Sequence, residues 1–126
     1  MSAHISDITP DQLSDDSLAR LAQIPVNSLP VVPGNPRLAE PVTGVQKIIA
    51  IGFNYVDHAA EMAVELPTEP LVFMKSVTAI SGPFEPVLQP RGVTKLDYEA
   101  ELVVVIGKKA QYVSEADALA YVAGYS

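Results

Sequence analysis

Eleven prolines cut this chain of 126 residues into short pieces. Each proline removes an amide donor and fixes φ, so it breaks a helix interior or a central strand. Long helices are therefore disfavoured, and strands broken by turns are favoured. Five of the eleven (Pro25, Pro30, Pro33, Pro36 and Pro41) fall within residues 25–44. That stretch has little periodicity and reads as an irregular surface connection, with an extended piece at 29–32. Hydrophobic residues make up 48% of the chain, which is enough for a packed core and argues against global disorder.

Around these breaks the pattern is mostly strand with short helices between. Thr9 followed by Pro10 and Asp11 looks like a helix start, so one or two helical turns are expected over 10–23. Lys47-Ile48-Ile49-Ala50-Ile51-Gly52 reads as a buried strand. A short helix over 55–63 follows, capped by Asn54 or Asp57. Leu71-Val72-Phe73-Met74-Lys75 is a second strand, Ser81-Gly82-Pro83 a turn, and 86–88 a short edge strand. Ser114 caps a last helix whose first turn carries Glu115 and Asp117, with Gly124 as its C-terminal cap. The order is α+β, mainly β.

Lys95-Leu96-Asp97-Tyr98-Glu99-Ala100-Glu101-Leu102 leads straight into Val103-Val104-Val105-Ile106. The β-branched half reads as a buried strand, and a strand over 98–106 is expected. On an extended chain Asp97, Glu99 and Glu101 share one face. Residues two apart advance roughly 6.6 Å. Two carboxylates at that distance repel by about 2.5 kcal/mol at an effective dielectric near 20. A hard divalent cation relieves the repulsion and takes oxygen ligands, so Glu99 and Glu101 are a candidate half-site for Mg²⁺ or Mn²⁺. A solvated strand face fits the same alternation. Asp97 reads as part of the turn into the strand.

His58 and Glu61 stand three apart on the expected short helix and so share a face. An imidazole steered by a carboxylate is a general acid/base pair, and loops after strand ends often carry catalytic groups. A solvated helix face is the plain alternative. Lys75 ends an apolar strand. It either snorkels to solvent or holds a substrate carboxylate near the metal. His4 reads as solvent-facing. No phosphate-binding glycine loop and no nucleophile elbow is present.

The charge balance is −7, from 8 basic and 15 acidic residues. That sign argues against nucleic acid and anionic membranes as partners. With no cysteine, disulfides, zinc–thiolate sites and cysteine nucleophiles are excluded as well. There is neither a signal-peptide pattern nor an apolar run of membrane-spanning length, so a cytoplasmic protein is expected.

Several segments together resemble the fumarylacetoacetate hydrolase family. Ile51-Gly52-Phe53-Asn54-Tyr55-Val56-Asp57-His58-Ala59-Ala60-Glu61 is similar to its "IGxNYxDHxxE" segment, and Leu71-Val72-Phe73-Met74-Lys75 to its "PxxFxK" strand. Leu88-Gln89-Pro90-Arg91-Gly92 and then Asp97-Tyr98-Glu99-Ala100-Glu101-Leu102 are similar to its "LPxGxxxxDxExEL" segment. Ser114 to Ala118, through Gly124-Tyr125, is similar to the helix and "GY" that follow. The matches are collinear from about residue 45 onward. Residues 1–44 resemble the variable leader of bacterial members, and 45–126 the N-terminal part of the catalytic domain.

The resemblance implies a mixed β-roll, a homodimer, and a hydrolase, lyase or isomerase acting on a small 2-oxo or β-diketo acid through a metal-stabilised enolate. It makes Glu99 and Glu101 ligands of Mg²⁺ or Mn²⁺, His58 and Glu61 the acid/base dyad, and Lys75 a substrate-binding residue. Two departures stand out. Ser76 follows the strand lysine where the family often has proline. The family's third metal ligand, an aspartate just past "GY", would lie beyond Ser126, so the β-roll is expected to be incomplete in this chain. A truncated, non-catalytic homologue that dimerises or binds a partner is the alternative.

Overall fold

The computed structural model describes residues 7–126, and His4 lies outside them. The chain divides into two compact units. One is Val45–Ser81. The other joins the described part of Met1–Gly44 to Gly82–Ser126. No helix among the described residues is long and apolar enough to cross a membrane.

Within Val45–Ser81, strand β1 (Ile48–Gly52) pairs antiparallel with β2 (Leu71–Lys75) in unbroken register, from Ile48 opposite Lys75 to Gly52 opposite Leu71. Helix α2 (Val56–Glu61) lies between them in sequence. The apolar runs form these strands as their residue types dictate, but neither strand is buried. Ile49, Ile51, Val72 and Met74 share one face of the ribbon by register, and all are exposed. A two-stranded ribbon has no second layer to cover its apolar face, and Ala59 of α2 is the one buried apolar side chain described in this unit.

Helix α2 starts at Tyr55, with no side-chain cap, instead of at Asn54 or Asp57. The Asp57 carboxylate accepts from the next backbone amide, that of His58 (3.0 Å). The helix closes on a Schellman motif. The Val64 amide donates to the Ala59 carbonyl (3.0 Å) and the Ala63 amide to that of Ala60 (3.1 Å), with Ala63 left-handed at φ 52°. Glycine is the usual residue at that position.

In the other unit, helix α1 (Asp15–Ala22) starts at Ser14, whose hydroxyl accepts from the Ser17 amide (3.4 Å). It is preceded by a single 3-10 turn, Pro10–Gln12, so the expected one or two turns form. Leu13, just ahead of the helix, and Ser17 within it are buried. Residues 29–44 carry no regular structure, as the prolines require.

Strand β3 covers only Val104–Ile106, pairing antiparallel with β4 (Val122–Tyr125) across an irregularity at Val105/Ile106. Reciprocal hydrogen bonds between Val103 and Ser126 (2.8 and 3.0 Å) extend the pair by one step. The expected strand over 98–106 is therefore mostly irregular. A strand runs as far as its ladder does, and the β3–β4 register covers Val104 to Ile106. β3 is also largely exposed rather than buried. Residues 86–88 form no strand. Ser114 does cap a helical segment, Glu115–Tyr121, but it is 3-10. Gly124 is not its C-terminal cap: it sits inside β4, opposite Val105. The β-branched and aromatic residues around it suit a strand better than a helix end. The architecture is α+β with two separate two-stranded antiparallel sheets.

Two glycines tie the leader to the 82–126 stretch within this unit. A Cβ on Gly82 would overlap the carbonyl oxygen of Leu38, and one on Gly107 would overlap that of Leu13. Each close approach has an ion pair beside it: Arg37 with Glu85 at the first, and Asp15 with Lys108 (2.5 Å) at the second.

Candidate functional site

The described residues bring the expected site residues into two local settings. In the Val45–Ser81 unit, β1 ends at Gly52 and the chain reverses through Phe53, which is left-handed at φ 50°. A bulky residue in that region is costly and must be held by its surroundings. The reversal sets the Phe53 ring against His58, with centroids 5.5 Å apart and planes 22° from parallel. His58 and Glu61 lie on one turn of α2, as the three-residue spacing requires. No hydrogen bond joins their side chains among the described residues.

Lys75 stands elsewhere on the ribbon. It pairs with Ile48, at the end opposite the Gly52–Leu71 pair from which the chain turns into α2. Four steps along the strand separate the two ends, about 13 Å. Its ammonium lies 5.9 Å from the centroid of the Phe73 ring, within cation–π range. At the Gly52–Leu71 end an open cleft of about 320 Å³ lies between residues 51–54 and 66–71. Phe53 lines this cleft and also stacks on His58. No sequence signal marks that double contact beyond the turn-prone Gly52 and Asn54 on either side.

In the other unit, Glu99 and Glu101 lie on the exposed irregular stretch that leads into β3. Asp97 uses Oδ1 to accept from the Tyr98 amide (2.9 Å), a local turn contact that matches the role expected for it. The donor chemistry of two carboxylates suits a hard cation, Mg²⁺ or Mn²⁺, since such ions take oxygen ligands. Among the described residues, no group of three or more histidines, aspartates or glutamates is gathered to hold an ion. The pair thus fits part of a coordination shell.

The charged group most altered by its surroundings lies outside the expected site. Glu85 accepts from the Gly82 amide (2.9 Å) through Oε2 and pairs with Arg37 through Oε1. The amide first, then the guanidinium, hold its carboxyl below the ordinary value of 4.5.

Comparison with known proteins adds what this geometry alone does not contain. The family model described as "Fumarylacetoacetate (FAA) hydrolase C-terminal" matches residues 47–126. A protein named "Putative hydrolase" from Burkholderia orbicola (strain AU 1054) is 50% identical over 125 residues. A similarly named protein from Burkholderia multivorans (strain ATCC 17616 / 249) is 49% identical over the same length. In both cases the match covers 99% of this chain and 44% of the relative, so the chain spans less than half the length of these relatives.

Proposed function

Because the chain belongs to the fumarylacetoacetate hydrolase family, we propose that it supplies part of a divalent-metal-dependent enzyme acting on a small 2-oxo or β-diketo acid. The observation that carries the reading is the family match over residues 47–126, which includes the acid/base candidates His58 and Glu61 and the acidic pair Glu99 and Glu101.

In this reading Glu99 and Glu101 hold Mg²⁺ or Mn²⁺ through their carboxylate oxygens. The bound cation would supply Lewis acidity to the 2-oxo carboxylate of the substrate. The Lys75 ammonium binds the substrate's carboxylate by charge. A neutral imidazole nitrogen of His58 takes a proton from water as the water oxygen attacks the carbonyl carbon. Glu61 orients the ring, and the Phe53 face limits its tilt. On carbon–carbon cleavage His58 returns the proton to the departing carbon, so that one water is consumed and two acids form. Decarboxylation and isomerisation use the same proton transfer without the attack. The working enzyme is a homodimer with the mixed β-roll of the family.

Turnover of oxaloacetate and of acylpyruvates with added Mn²⁺ tests this directly. Activity lost in His58→Ala and in Glu99→Gln supports it, and activity retained in both refutes it. A second reading draws on the exposed apolar face of the β1–β2 ribbon: a non-catalytic module that dimerises or binds a partner there. Self-association by light scattering with no turnover of either substrate favours this second reading.

A further inference from the structure

Three non-glycine residues among those described have a left-handed backbone: Phe53, Ala63 and Tyr112. Ala63 closes α2, and Tyr112 is almost wholly exposed. Phe53 differs from both, because its ring lies against an ionisable side chain, the His58 imidazole. Residue type points elsewhere for this turn. Glycine takes a left-handed φ without strain and asparagine takes it readily, and Gly52 and Asn54 flank the position. Gly52 is committed to the ladder opposite Leu71, whose side chain fills the space a Cβ would need. The left-handed turn falls on the bulky residue instead, and such an outlier points toward a function for the side chain.

The stack supplies that function. Centroids 5.5 Å apart and planes 22° from parallel lie in the range of favourable aromatic pairs. His58 is exposed and Phe53 half-buried. An exposed side chain samples several rotamers unless a contact selects one. A stack engages the face of an imidazole and leaves its edge, which carries both nitrogens, for hydrogen bonds.

We propose that Phe53 is a positioning residue for His58: the turn after β1 keeps a bulky side chain in a left-handed conformation because its ring sets the plane of the imidazole and confines it to one rotamer. That this serves proton transfer rests on the function proposed above; the hold on the imidazole rests on the stack and the backbone alone. Glu61 acts at the edge of the imidazole and Phe53 on its face.

The chain has two histidines, His4 and His58, so His4→Gln leaves a single set of imidazole resonances. In that background the Hα–Hβ couplings of His58 read its rotamer, and the amide resonances of β1 and β2 report whether the ribbon is intact. The parent and Phe53→Tyr, which keeps the ring, are expected to show unaveraged couplings. Phe53→Ala and Phe53→Gly are expected to show averaged couplings with the ribbon retained. Phe53→Gly should unfold at a higher denaturant midpoint than Phe53→Ala, the reverse of the ordinary order, because glycine relieves the left-handed φ. With oxaloacetate or an acylpyruvate and Mn²⁺, kcat should fall about tenfold in both ringless variants and largely recover in Phe53→Tyr.

A gain in stability from alanine to glycine with no gain in kcat is the result that a merely structural role does not give. Unaveraged couplings in both ringless variants overturn the hold on the imidazole, as do averaged couplings in the parent. Loss of the ribbon in both ringless variants overturns it too, since the ring then serves the fold. A midpoint for Phe53→Ala at or above that of Phe53→Gly overturns the claim that the turn imposes the left-handed backbone. An unchanged kcat in the ringless variants overturns the catalytic purpose. If the parent turns over neither substrate, the function proposed above fails and the catalytic half falls with it, while the couplings still decide the hold on His58.

Discussion

The two ribbons of this chain are built from similar residues and end differently. β1 and β2 pair over five residues each without a break, whereas β3 and β4 pair over three with an irregularity between Val105 and Ile106. Both begin from β-branched runs of comparable strength in the sequence. The difference lies in the partner. β2 matches β1 in length, and the chain between them is held by α2. β4 is four residues long, and its register with β3 covers Val104 to Ile106 with an irregularity that β1–β2 lacks. Strand propensity allows a strand, and the partner decides how far it runs. The consequence bears on chemistry: the acid/base candidates stand on a helix that follows a regular strand, and the acidic pair stands on an irregular span that leads into β3.

The largest effect expected from testing this contrast is on the leader-containing unit. Leu13 is its one buried apolar side chain described, and its carbonyl meets Gly107. Leu13→Ala is expected to cost about 2–3 kcal/mol. Hydrogen exchange should quicken in α1 and β3–β4 while β1–β2 keeps its protection. Equal loss of protection in both ribbons would break the comparison.

A smaller change in the opposite direction is expected at Ala63. Its left-handed φ of 52° at the Schellman position suits glycine, so Ala63→Gly should stabilise α2 by about 1 kcal/mol, read as a rise in midpoint on denaturant unfolding. Ser14→Ala should destabilise α1 by about 1 kcal/mol through loss of the cap.

The smallest effect concerns pH. The Glu85 carboxyl is held below its ordinary 4.5 by the Gly82 amide and Arg37, so folding favours its charged form. The stabilisation is present above pH 4.5 and disappears as pH falls through the depressed value. Glu85→Gln should flatten the acid limb of the unfolding midpoint below pH 4.5, lowering the midpoint slightly at about pH 7 and leaving it unchanged where the parent carboxyl is protonated. An acid limb identical to the parent's would contradict this account of Glu85.

How much of this was legible in the sequence follows the range of each interaction. The β1 and β2 runs, the placement of His58 and Glu61 on one turn, the helix starts at Thr9 and Ser114 and the local role of Asp97 depend on residues a few positions apart. The extent of β3 and the location of Gly124 depend on pairing between 103–106 and 122–126, which periodicity does not specify. The Schellman end at Ala63 has no glycine to announce it. The stacking of Phe53 on His58 depends on a left-handed backbone at a bulky residue, where residue type points the other way. Leu13–Gly107 and Leu38–Gly82 join positions more than forty apart, and a glycine alone does not reveal which carbonyl it meets.

The measurement that tests the central claim most directly is a calorimetric titration of Mn²⁺ into the parent chain and into Glu99→Gln/Glu101→Gln. The account predicts saturable binding in the parent that disappears when both carboxylates are neutralised. The same binding in both proteins, or none in the parent, would contradict it.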